Sequence, residues 1–161
     1  VKEFYCFIPE NVPSLKNSKI ATARGVFHSK TVRKYLQKLG VKKYSVSKRT
    51  VENYKTRPNL FEIAVADMRK YLKTRKPPYI IGFHFVRGTR HKADFINLMQ
   101  IIADLLVAHR VIPEDNMDNF IPYPRWCNGG WYSYDKSGPG VIIYASEGQC
   151  DFFCCYECKY G

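Results

Sequence analysis

A single α+β domain, a small mixed β-sheet packed with helices, is predicted by three observations. The chain has 161 residues, 45% of them apolar and 15% aromatic, which suits one modest core and is too apolar for long disorder. Segments rich in aromatic and β-branched residues alternate with segments of helical periodicity. No segment repeats another and none is of low complexity, so the expectation is one domain over residues 1–146 with a Cys- and aromatic-rich appendage over 147–161.

Glu3–Pro9 (EFYCFIP) alternates as a strand does, and the Asn-, Pro- and Ser-rich ENVPSLKNSK after it reads as loop. A first helix begins at Ser29, a capping residue, and ends before Gly40, which suits the left-handed end position. Residues 41–57 mix Lys, Arg, Ser and Tyr without a period and read as an irregular or short helical connector. Pro58 opens a second helix, NLFEIAVADMRKYLK, with Leu60, Ile63, Ala64, Met68 and Leu72 at helical spacing. Pro77 and Pro78 break it, and Tyr79–Arg87 (YIIGFHFVR) is the expected central strand. The basic turn GTRHK leads into a third helix from Asp94 to about His109, followed by the acidic turn VIPEDNMD. The near-strand FIPYP, a loop bearing Gly and Trp, and the strand GVIIYA (Gly140 to Ala145) complete the domain.

Cysteines stand at 6, 127, 150, 154, 155 and 158, with four crowded into the last dozen residues. That is not the even spacing of a secreted disulfide framework, and it predicts a reducing compartment. The terminal CDFFCCYEC reads as an appendage; a zinc site is the alternative, although its thiols are more cramped than paired zinc knuckles. No run approaches the roughly 18 apolar residues of a spanning helix, and VKEFYCFIPENVP lacks the apolar core of a signal peptide. The expectation is a soluble, cytoplasmic protein without a membrane partner.

The net charge of +12 is unevenly spread. Residues 1–92 hold 22 Lys or Arg against 5 Asp or Glu, and the remainder holds 4 against 9. A cationic front half joined to a carboxylate-bearing back half suits an enzyme acting on a polyanion: cations attract phosphate while carboxylates hold a metal ion. A basic solvated surface with ordinary acidic scatter gives the same totals, so the motifs must decide.

The third helix is apolar on nearly every face. At about 100° per residue, Asp94, Asn97, Gln100 and Asp104 share a stripe about 120° wide, and Phe95, Leu98, Met99, Ile102, Leu105 and Leu106 fill the rest. Buried carboxylates are costly unless paired, so the stripe faces solvent, a basic partner or a metal ion. Asp94 also stands where an N-cap would, and an N-cap needs no catalytic role. Glu114 and Asp115 lie on the turn beyond the helix, where chain reversal brings an acid from that turn or from the next strand back beside Asp94; two converging carboxylates make a hard oxygen site for Mg²⁺. The bland alternative is a solvated Asp/Asn turn.

Basic residues, then D-x-x-N opening a helix, an Asp one helix later and an acidic pair on the following turn resemble the RusA-type Holliday junction resolvases. The resemblance runs from about Tyr79 to Pro124 and more weakly to VPSLKNS and to the PGV strand. It implies a RusA-like fold and a Mg²⁺-dependent endonuclease, with Mn²⁺ as the alternative ion. It further implies a homodimer of phage or prophage origin in a bacterial host, nicking both strands of a four-way junction. Asp94 matches the first metal aspartate, Asp115 the aspartate of the acidic pair, Glu114 its supporting acid and Asn97 the helix asparagine. Ile96 stands where the best-known pattern has a second aspartate, and Gln100 where it has a lysine. Asp118 is the candidate for the missing oxygen, and Lys92 or Arg90 for the missing cation.

Arg87, Arg90 and Lys92 adjoin the acidic site and are the first candidates for phosphate contacts; Lys42, Lys43, Lys48, Arg49, Lys55 and Arg57 are the second. Tyr44 and Tyr54 are candidates for stacking on unpaired bases, or simply cover the core. His109, near the helix end, suits a dipole partner better than a general base. A structure-selective DNA endonuclease is the leading expectation. A junction-binding protein without turnover is the alternative that Ile96 and Gln100 motivate, and a basic RNA-binding or phage assembly protein is the third.

Overall fold

The computed structural model describes residues 3–14, 19–22, 25–41 and 58–146. The connector over 42–57, with its cationic and tyrosine candidates, and the appendage over 147–161, with its thiols, lie outside the described residues.

The main sheet joins β1 (Glu3–Pro9), β4 (Tyr79–Arg87), β5 (Phe120–Pro124), β6 (Tyr132–Tyr134) and β7 (Gly140–Ser146). Its order is β1-β7-β4-β5, with β6 also on β4. β7 is antiparallel to both β1 and β4, whereas β5 and β6 run parallel to β4. A separate hairpin of β2 (Lys19–Thr22) and β3 (Gly25–His28) was not among the sequence expectations. The architecture is thus a small mixed α+β fold, and β4 is an interior strand, as its aromatic and β-branched composition predicts.

Alternation along the strands separates two sheet faces. On the inner face Ile81, Phe83 and Phe85 lie opposite Ala145, Ile143 and Val141, all fully or almost fully buried. They join one core with residues of three helices: α1 (Lys30–Lys38), α2 (Leu60–Lys73) and α3 (Phe95–Ala108). On the outer face Tyr5 and Phe7 of β1 are exposed. There Gly82 stands in register with Tyr123 and Tyr144, and a Cβ on it would meet the Tyr123 ring at 2.7 Å.

Helix α1 is capped by Ser29, whose Oγ accepts from the Val32 amide at 3.4 Å, and it closes on Gly40 with φ of 72°. The second helix departs from expectation in two respects. Asn59 is its N-cap, with Oδ1 accepting from the Glu62 amide at 2.9 Å, so Pro58 precedes the cap rather than opening the first turn. Its buried face is Phe61, Val65, Met68 and Leu72, and Ile63 is 64% exposed. Phe61 and Val65 form an equally regular stripe with Met68 and Leu72, and burying the larger Phe61 ring wins. Helix α3 keeps the expected bounds, with Asp94 and His109 as its caps.

No helix among the described residues is long and apolar enough to cross a membrane.

Candidate active site and nucleic-acid interface

Helix α3 buries Leu98, Ile101, Ile102, Ala103, Leu105 and Leu106. Each large side chain gains about 1.5–3 kcal/mol in gross transfer free energy, so the core fixes the rotation of the helix about its axis. Gln100 and Ile96 are consequently exposed, with Asn97 and Asp104 half-buried beside them. The sequence stripe is thus the solvent face of α3.

Asp94 opens that stripe as an N-cap, its Oδ1 accepting from the Ile96 amide at 2.9 Å. One and a half turns on, Gln100 Nε2 donates to Asp104 Oδ1 at 3.2 Å and to Asp115 Oδ2 at 3.5 Å. The acidic turn therefore folds back onto the helix, and Gln100 brings Asp115 and Asp104 to one side chain. Glu114 Oε2 accepts from Asn116 Nδ2 at 2.6 Å and so braces its own turn; Asp118 is exposed two residues further on. Among the described residues no Lys or Arg forms an ion pair with any of these five acids. Also among the described residues, no group of three or more His, Cys, Asp and Glu side chains is arranged to hold a metal ion.

The donor chemistry of the Asp104 and Asp115 pair nonetheless suits Mg²⁺. Both are carboxylates, both are held by a neutral amide rather than by a cation, and the site is open to the waters that Mg²⁺ retains.

Before Asp94, the turn over residues 88–92 is tied to the loop after β1. Gly88 donates its amide to Asn11 Oδ1 at 2.8 Å, and Arg87 Nη1 donates to the Val12 carbonyl at 2.6 Å. Arg87 is only 5% exposed, and desolvation lowers its pKa. In this arrangement it braces the turn, because its guanidinium is committed to backbone and withdrawn from the surface where a phosphate would first arrive. Arg90 and Lys92 are exposed.

These cations border a cleft of about 720 Å³. Phe85, Phe95 and Leu98 line it from the core side, and Trp131, Tyr132 and Tyr134 from β6 and the loop before it. The guanidinium carbon of Arg90 lies 4.7 Å from the Tyr134 ring centroid, a cation–π contact. β5 and β6 lie in line along β4, and residues 125–131 bulge out between them. A two-residue turn at Asn128 and Gly129, φ 51° and 80°, closes that bulge between the bridged Cys127 and Gly130. His84 fixes the base of the bulge: its Nδ1 donates to the Arg125 carbonyl at 3.0 Å, and its Nε2 lies 3.0 Å from Ser133 Oγ.

Sequence reasoning assigned no role to Trp131, Tyr132 and Tyr134. The signal was present: both tryptophans of the chain fall within six residues, next to WYSY. His109 behaves as a helix-end partner, with Nδ1 donating to the Leu105 carbonyl at 2.8 Å and Nε2 accepting from Asn59 Nδ2 at 3.1 Å.

Neither protein-family models nor curated proteins give a match to this chain.

Proposed function

We propose that the chain is a Mg²⁺-dependent, structure-selective DNA endonuclease of the RusA type, acting as a homodimer to nick four-way junctions. The observation that carries this reading is the return of Asp115 to the solvent face of α3, within one Gln100 side chain of Asp104. A cationic front half and an exposed Arg90 and Lys92 beside the start of that face supply the complement to phosphate.

Asp104 and Asp115 would hold the ion, with Asp94 and Asp118 as further acids at the helix start and on the acidic turn. A bound Mg²⁺ supplies activation of a water and stabilisation of charge on the phosphodiester. The chain's own part is positional. Gln100 keeps the two carboxylates together, and Arg90 and Lys92 neutralise the strand entering beside Asp94. The N-terminus of α3 adds a partial positive charge there. Two symmetric cuts require two such sites, which a two-fold dimer provides.

A second reading, a junction-binding protein without turnover, is favoured by Ile96. It is 64% exposed beside the stripe, where the resembled family has a carboxylate. Incubation of the full chain with a labelled four-way junction and a matched duplex, with Mg²⁺ or chelator, separates the two. Paired Mg²⁺-dependent nicks on the junction, abolished by Asp115→Asn, are expected. Tight junction binding without nicks establishes the second reading, and neither binding nor nicking overturns both.

A further inference from the structure

We infer that the cleft between the cationic turn and β6 is a pocket for an unpaired nucleotide, its base stacked on the Trp131, Tyr132 and Tyr134 wall and its phosphate held by Arg90 and Lys92. The inference deepens the DNA-binding part of the proposed function and rests on it.

The aromatic wall comes first. Trp131, Tyr132 and Tyr134 are 56%, 69% and 43% exposed. Tyr132 and Tyr134, two apart on a strand, project to one side, and Ser133 turns to the other, onto His84. Pairing of β6 with Phe85, Val86 and Arg87 of β4 holds this wall in place. Rings left open to water on a rigid strand are stacking surfaces that accept any base.

The electrostatics select an anion. Among the described residues no Asp or Glu lines the cleft. Two acids adjoin the lining in sequence: Asp94 caps α3, its Oδ1 accepting from the Ile96 amide at 2.9 Å, and Asp135 turns onto its own loop, where its Oδ1 accepts from the Ser137 amide at 2.9 Å and from Ser137 Oγ at 2.7 Å. Arg87 lies at the cleft wall, 95% buried, and among the described residues no carboxylate lines the cleft with it and its Nε finds no acceptor. A buried, unneutralised guanidinium reinforces the field of Arg90 and Lys92 at the mouth.

The shape selects a ring as well as a charge. A phosphate alone is served by an open cationic surface, whereas this cleft has an apolar side of Phe85, Phe95 and Leu98. Its volume falls within the roughly 300–1,000 Å³ of small-ligand pockets. A stacked duplex hides its rings, so a strand with an unpaired base is the nucleic acid that uses both halves of the site.

The two tryptophans of the chain, 126 and 131, meet edge-to-face at 5.0 Å, and Trp131 lines the cleft, so intrinsic tryptophan fluorescence reports on its wall. The full chain is titrated in chelator with a 12-mer of oligothymidylate, an abasic 12-mer of equal charge, and polyglutamate. Saturable quenching by oligothymidylate is expected, with the abasic strand at least about fivefold weaker. Tyr132→Ala should weaken oligothymidylate binding by about fivefold or more while Tyr132→Phe retains it. Absent quenching, equal binding of the abasic strand, or unchanged affinity in Tyr132→Ala overturns the inference; quenching by polyglutamate as strong as by DNA replaces it with an acidic-peptide site. The junction assay runs independently: nicking without quenching removes the pocket and leaves the nuclease, and quenching without nicking does the reverse.

Discussion

Gln100 links Asp104 and Asp115, donating at 3.2 Å to one carboxylate and at 3.5 Å to the other. A neutral amide can hold two acids together without cancelling their charge, which leaves both available to a cation. Gln100→Lys places an ammonium in that position. It would pair with either carboxylate by about 0.2–1 kcal/mol, the range for exposed ion pairs, and compete with a divalent ion for the same oxygens. The expected outcome is an increase of about two- to fivefold in the Mg²⁺ concentration giving half-maximal nicking, read from a Mg²⁺ titration of junction cleavage. A decrease would mean that the added cation serves phosphate rather than opposing the metal.

Helix α2 carries a clamp onto the end of α3. Glu62 receives both arms of the Arg69 guanidinium at 2.7 Å, and Arg69 Nε donates to the His109 carbonyl at 3.0 Å. The hydrogen bonds from Arg69 are the main reason that the Glu62 pKa lies below the ordinary carboxylate value of 4.5. A depressed folded-state pKa contributes stability above the unfolded value and loses it as pH falls through the folded one. The Glu62 side chain is 43% exposed, so screening keeps the gain modest. Glu62→Gln should therefore cost about 0.5–1 kcal/mol at pH 7, with the gap to the parent closing below about pH 4.5. Urea unfolding at pH 7 and at pH 3.5 checks this; a gap that stays constant would exclude the ion pair as its source.

Much of the fold was legible because single elements announce themselves. YIIGFHFVR has the composition of an interior strand, and α3 has apolar residues on so many faces that only one rotation leaves its polar stripe outside. In α2 the sequence offers two apolar stripes sharing Met68 and Leu72, and the choice of Phe61 over Ile63 depends on where the sheet lies. The same limit applies to the site. That Asp115 returns to Asp104 depends on the path of the acidic turn, and that Arg87 is buried depends on Val12, 75 residues away. β6 has three residues and no independent signal; it exists because β4 outruns β5, and with it goes the aromatic wall.

His84 is 1% exposed and holds the 125–131 bulge and β6 to the sheet through Arg125 and Ser133. Because a carbonyl only accepts, Nδ1 carries the hydrogen and, in the neutral ring, Nε2 accepts from the Ser133 hydroxyl. Ser133→Ala removes that donor and leaves a buried ring nitrogen unpartnered, costing about 1–3 kcal/mol. The expected result is a lower urea midpoint with an unchanged slope. In the native variant, broader tryptophan emission should report loosening at Trp126 and Trp131. A midpoint equal to the parent's would show that Ser133 is not the partner that satisfies His84.

Cys6 lies on the inner face of β1, opposite Ile143, and burial pushes its thiol up to about 12. The thiolate is the reactive species. Relative to a free thiol of pKa about 8.5, the folded chain at pH 8 should hold roughly three orders of magnitude less thiolate at this position. Cys6 should therefore escape alkylation by iodoacetamide at pH 8 for as long as the domain stays folded, and react with the unfolded chain in urea within minutes. Peptide mapping by mass spectrometry resolves it from the other cysteines. Rapid labelling of Cys6 in the native chain would mean that β1, an edge strand among the described residues, leaves β7 far more readily than its seven paired residues imply.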